Sequence, residues 1–114
     1  DAAIKSNLSN ARAEAELFYD SNNNSYGTTA TLCNAAGTNN AIGDNVKAAM
    51  TAFGHADSVA IGNRCAVNTA APAGTAWAAW FELKTAPTTA YCVDSSGAAN
   101  TITSLPTSAI SVCP

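Results

Sequence analysis

The chain runs to 114 residues, enough for one domain with one modest core. Only 11% of its residues are charged and the net charge is −3. The five cations, Lys5, Arg12, Lys47, Arg64 and Lys84, are scattered along the chain. A nucleic-acid interface needs cations in a cluster, so no nucleic-acid partner is expected. Ala, Thr, Ser and Asn dominate, which makes a surface of hydroxyls and amides that tolerates close packing against copies of itself.

The first element is the clearest. Ile4, Leu8, Ala11, Ala15 and Phe18 form one stripe at helical spacing. Lys5, Arg12, Glu14 and Glu16 fall mostly off that stripe. No N-cap or capping box precedes it, and the pattern reads as a helix continuing upstream of Asp1 in a longer precursor. The helix is expected to end near Asp20, where Ser21-Asn22-Asn23-Asn24-Ser25-Tyr26-Gly27 supplies turn formers.

Residues 28–43 read as a loop carrying Cys33. A second helix is expected from about Asn45 to Phe53, stopped by Gly54. Strands follow: Ser58-Val59-Ala60-Ile61 leads through the hairpin-type dipeptide Gly62-Asn63 to Arg64-Cys65-Ala66-Val67. Ala76 to Leu83 reads as a strand with aromatic bulk, Pro87 as an interruption, and Ala90-Tyr91-Cys92-Val93 as a short strand before the turn Asp94-Ser95-Ser96-Gly97. On the aromatic strand, Trp77 and Phe81 share one face and Trp80 the other. At least one aromatic should therefore leave the core or reach another subunit. The tail reads as a polar loop with a short edge strand, tied back by Cys113. No run approaches the ~20 apolar residues of a membrane span. Helix first and antiparallel strands afterwards make an α+β fold.

The four cysteines, Cys33, Cys65, Cys92 and Cys113, are widely spaced and contain no C-x-x-C pair. That pattern excludes zinc-ribbon and thioredoxin-like sites and points to two disulfides and an oxidising compartment. The spacing leaves all three connectivities open.

Candidate chemistry is sparse. His55 is the only histidine, no G-x-S-x-G elbow surrounds a serine, and no phosphate-cradling glycine motif occurs. Asp20-Ser21-Asn22-Asn23-Asn24 starts like a calcium loop, but Ser25 replaces the required Gly and Thr31 the bidentate Glu. Glu14 and Glu16 lie two apart on a helix and do not face each other. No catalytic, cofactor or metal site is expected, and the reading is of a protein that is not an enzyme. Asn7-Leu8-Ser9 and Asn23-Asn24-Ser25 match the glycosylation sequon.

The helix with its ending, Ala15-Glu16-Leu17-Phe18-Tyr19-Asp20 through Ser25-Tyr26, resembles the exposed half of a bacterial type IV pilin helix. Ala76-Trp77-Ala78-Ala79-Trp80, with Tyr91-Cys92-Val93-Asp94-Ser95-Ser96-Gly97 and the terminal Cys113, is similar to the tryptophan strand and the disulfide-closed C-terminal segment of some pilins. The resemblance implies a pilin-like αβ-roll in which a long N-terminal helix packs on an antiparallel sheet through Ile4, Leu8, Ala11, Ala15 and Phe18. It divides a single head into the helix half (1–20), a connecting region (21–57), the sheet (58–93) and a C-terminal loop (94–114). It implies the pairing Cys92–Cys113, whose short loop contributes about 3 kcal/mol, and with it Cys33–Cys65. It further implies a structural subunit of an extracellular pilus serving adhesion, motility or DNA uptake. Its partners are copies of itself and the pilus assembly machinery, and it is anchored in the inner membrane before assembly by an apolar half-helix outside this chain. The alternatives are a type II secretion pseudopilin and a minor or tip pilin that binds a ligand or DNA.

Overall fold

The computed structural model describes residues 1–35, 41–55 and 61–114. Its elements are helix α1 (Ala2–Ser21), the single-turn α2 (Thr29–Leu32), α3 (Gly43–Phe53), and strands β1 (Cys65–Val67), β2 (Trp77–Leu83), β3 (Ala86–Asp94) and β4 (Ala99–Ile102). The strands form one antiparallel sheet in the order β1-β2-β3-β4. This is the α+β roll read from the sequence: a long N-terminal helix on an antiparallel sheet with a disulfide near the C-terminus.

Helix α1 lies on the sheet through Ile4, Leu8, Ala11 and Ala15, all fully buried, while Phe18 at the end of the stripe is half-buried. Burying each of the two larger side chains contributes about 1.5–3 kcal/mol. The alanines between them keep the helix close to the strands. At its start, the Asp1 carboxylate accepts from the Thr85 amide at 3.2 Å and from the Thr85 hydroxyl, which ties the helix to the β2–β3 turn. At its end, Asn23 and Asn24 adopt φ of 55° and 57°. Asparagine tolerates this left-handed region better than most residues. The D-x-N-x-N run is thus the turn that ends α1, and the Asn24 amide donates to Tyr19 O at 3.0 Å.

Three local readings are corrected. The loop expected over residues 28–43 opens with α2, capped reciprocally: the Thr31 amide donates to Thr28 Oγ1 and the Thr28 amide to Thr31 Oγ1. A threonine at the third position does the work usually given to Glu or Gln. The hairpin expected around Gly62-Asn63 is instead a 3-10 turn, Gly62–Arg64, entered from a helical Ile61. The Arg64 guanidinium donates back to Ile61 O at 3.3 Å and grips Glu82 of β2, which holds the turn in place and delays the strand to Cys65. Ser58, Val59 and Ala60 lie outside the described residues. Finally, Pro87 does not interrupt its strand. Register jumps from Leu83↔Ala86 to Glu82↔Ala90, so Pro87 sits in a bulge where no ladder hydrogen bond is lost.

Two disulfides staple the sheet to its surroundings. Cys33–Cys65 joins the end of α2 to β1, and Cys92–Cys113 joins β3 to the C-terminal segment. Helix α3 starts at Gly43, two residues before the expected Asn45, and stops at Gly54 with φ 112°. Gly43 meets the chain after α2 so closely that a Cβ there would lie 2.3 Å from the Asn34 carbonyl and from Cys33 O. Backbone on both sides leaves nothing that can yield. Gly43→Ala should therefore lower unfolding free energy by about 2 kcal/mol in urea titration, despite the better helix propensity of alanine. An unchanged or raised midpoint would contradict this packing.

Candidate functional site

Every residue of β2 except Glu82 is buried, because the sheet is covered on both faces. Trp77, Ala79, Phe81 and Leu83 join α1 and α3 in the larger core. Trp80 points the other way, yet it is only 3% exposed. With Ala90, Cys92 and Ile102 it forms a second cluster, roofed by Leu105, Ile110 and Cys113. Its indole donates to Asn63 O at 3.2 Å. The expectation that one aromatic leaves the core is thus corrected: the C-terminal segment folds back over Trp80. Alternation along β2 separates the two faces, but gives no sign of which distant segment covers the second.

The return of that segment is fixed by Asp94, the one buried charged residue among those described. Its Oδ1 accepts from the Ser96 hydroxyl at 2.6 Å and from the Ser96 and Ala98 amides at 2.9 and 3.1 Å. Its Oδ2 accepts from the Cys113 amide at 2.8 Å. Burial alone pushes the carboxyl up, but these four hydrogen bonds outweigh it and hold it below the usual aspartate value. Asp94-Ser95-Ser96-Gly97 reads correctly as a turn in the sequence. The bond to Cys113 spans the whole tail and has no local signature.

The residues off the α1 stripe divide between the sheet and solvent. The Lys5 ammonium lies 5.7 Å from the Tyr91 ring centroid, and Glu16 accepts from the Tyr26 hydroxyl at 2.8 Å. Arg12 lines a groove with Glu16, Trp77 and the Ser95-Ser96-Gly97 turn. Glu14 is half-buried. Burial first, and then the Glu16 carboxylate, push the Tyr26 phenol up to about 12. His55 is exposed, and its ring stacks on Phe53 with centroids 4.8 Å apart. Among the described residues no three His, Cys, Asp or Glu side chains are grouped to hold a metal ion, and no helix is long and apolar enough to cross a membrane.

A groove of about 630 Å³ lies beside β4, between that strand and the segment that follows it. Ile102, Leu105, Pro106 and Ile110 supply its apolar wall, and hydroxyls and an amide the rest. No charged side chain lines it. At the opposite edge of the sheet, the Val67 amide donates to Thr29 Oγ1 at 3.0 Å and the same hydroxyl reaches Val67 O at 3.4 Å. The β1 edge is closed by α2, whereas the β4 side remains a surface.

Comparison with protein-family models, with curated proteins and with solved structures gives no match.

Two measurements check these polar contacts. The lowered Asp94 value means its contribution is present above the unfolded pKa and lost as pH falls through the folded one. Asp94→Asn should lower unfolding free energy by about 2 kcal/mol at pH 7. The gap between variant and wild type should close below about pH 4. A gap independent of pH would contradict a charged Asp94. For Tyr26, whose value is raised, the contribution is present below about 10 and lost as pH rises through about 12. Ultraviolet titration should show a tyrosine step near pH 12, and Tyr26→Phe should remove that step.

Proposed function

We propose that this chain is the globular head of a type IV pilin-like subunit, a structural building block that repeats along an extracellular filament. The observation that carries the proposal is the layout of α1. One stripe of this 20-residue helix is committed to the sheet. The outward face of the same helix presents Ala3, Ser6, Asn10, Ala13 and Leu17, all exposed and uncharged. Leu17 is 53% exposed, an apolar side chain left for a neighbour. Small uncharged residues let a second helix approach closely.

The sheet behind α1 supports the same reading. It is shut on its far face by a disulfide-anchored segment, which suits a head that carries load outside a cell. In this account the chain is anchored at the inner membrane before assembly, meets the assembly machinery there, and performs no catalysis. Its partners are copies of itself.

Immunogold labelling and helical reconstruction of surface filaments from cells producing the full protein test the proposal. The expected density repeats along the shaft with one head per subunit and both disulfides intact. Labelling confined to filament tips would instead support a minor pilin, and labelling confined to the cell envelope would support a secretion pseudopilin. Either result overturns the major-subunit reading.

A further inference from the structure

We propose that β4 of one head pairs antiparallel with β4 of a second copy, about a two-fold axis through Asn100, and joins the two sheets into one. The Asp94 amide donates to Ala98 O at 3.1 Å, and opposed residues in an antiparallel ladder alternate between bonded and unbonded pairs. Cys92 lies opposite Asn100 and Ala90 opposite Ile102, so those two β4 residues turn their N–H and C=O groups to β3. Ala99 and Thr101 turn theirs outward, and both residues are exposed. Among the described residues these outward groups form no hydrogen bond, except that Asn100 Nδ2 lies 3.5 Å from Thr101 O, at the outer limit of one. The chain that returns after β4 leaves a groove beside the strand and does not pair with it.

Elimination and symmetry select the occupant. One sheet extends another only where both have an open edge. Strands β2 and β3 are paired on both sides. By the same alternation Val67 turns outward at the β1 edge, and there the Thr29 hydroxyl takes both its amide and its carbonyl. Among the described strands β4 is thus the one with an open edge, and another copy can extend it only through its own β4. A two-fold axis through Asn100 sets Ala99 of each head against Thr101 of the other. All four outward amides then meet the four outward carbonyls. The two Asn100 side chains face each other at the axis, in the unbonded and closer kind of pair. A carboxamide both donates and accepts, so it complements its own copy, as a charged side chain cannot. The strand Ala-Asn-Thr-Ile also carries no lysine, proline or inward charge that would keep edges apart. Its shortness makes the contact weak. A two-fold contact closes at two heads, so it is not the contact that repeats along a shaft.

Sedimentation equilibrium and amide exchange on the 114-residue chain, at concentrations up to about 1 mM, test the pairing. Wild type should form a reversible dimer near that limit. The Ala99 and Thr101 amides should gain protection as concentration rises, while Asn100 and Ile102 are protected throughout. Thr101→Pro removes an amide that faces solvent in the free head. Its thermal melt should match wild type, and its dimer should weaken by about tenfold with two of the four bonds gone. If Thr101→Pro disturbs folding, Asn100→Asp takes its place. The facing carboxylates should abolish the dimer at pH 7, and protonation at about pH 3 should restore it to the wild-type level at that pH. A wild type that stays monomeric at about 1 mM, association that continues past two heads, or a dimer that both variants leave intact overturns the pairing. So does protection of Ala99 and Thr101 by an added oligothreonine peptide without self-association, which assigns the edge to a foreign strand. These measurements need no filament, so the pairing and the filament reading fail separately.

Discussion

Strand β2 has to be kept dry on both sides, and the rest of the molecule is arranged around that requirement. Trp77, Ala79, Phe81 and Leu83 face one way, Ala78 and Trp80 the other, and all six are buried. A 114-residue chain has little material with which to cover two faces of a sheet. It solves the problem unequally. The broad face receives α1 and α3, each with a regular apolar stripe. The narrow face receives an irregular segment in which only Leu105, Ile110 and Cys113 make apolar contact.

A roof that thin cannot hold by hydrophobic burial alone, which explains the density of specific bonds at its ends. The disulfide to Cys92 limits how far the segment can stray in the unfolded chain. The Asp94 carboxylate then sets the direction of its last turn through the Cys113 amide. The two devices act on one residue from two sides, one covalent and one electrostatic. The same economy appears elsewhere. Asn68 organises the β1–β2 connection, Thr29 closes the β1 edge, and Asp1 pins the start of α1 to Thr85. Each is a single polar side chain satisfying backbone groups that a larger protein would bury in regular structure.

Elements with a repeating pattern were legible in the sequence, and features made by contact across the chain were not. The stripe from Ile4 to Phe18 announces α1, and the alternation of Trp77, Trp80 and Phe81 announces the two faces of β2. The α2 cap was missed because Thr28 and Thr31 do not match the usual acidic pattern. The close approach at Gly43 was missed because a glycine beside the start of a helix carries no sign of what passes over it. Ile61 has the composition of a strand residue, yet its backbone is helical and its carbonyl accepts from Arg64, which pairs with Glu82 eighteen residues further along. The surface reading fared in the same way. Scarce charge was visible from composition, but the order of the β1–β2 connection exists only once Asn68 is folded against it.

If the two faces of the sheet are closed by separate structures, each should open separately. Acrylamide quenching of tryptophan fluorescence, measured on the wild type and on the Cys92→Ala/Cys113→Ala variant, tests this most directly. With the helical signal in far-ultraviolet circular dichroism retained, Trp80 should become accessible to quencher while Trp77 stays protected. Both tryptophans remaining protected, or both becoming exposed together, would contradict it.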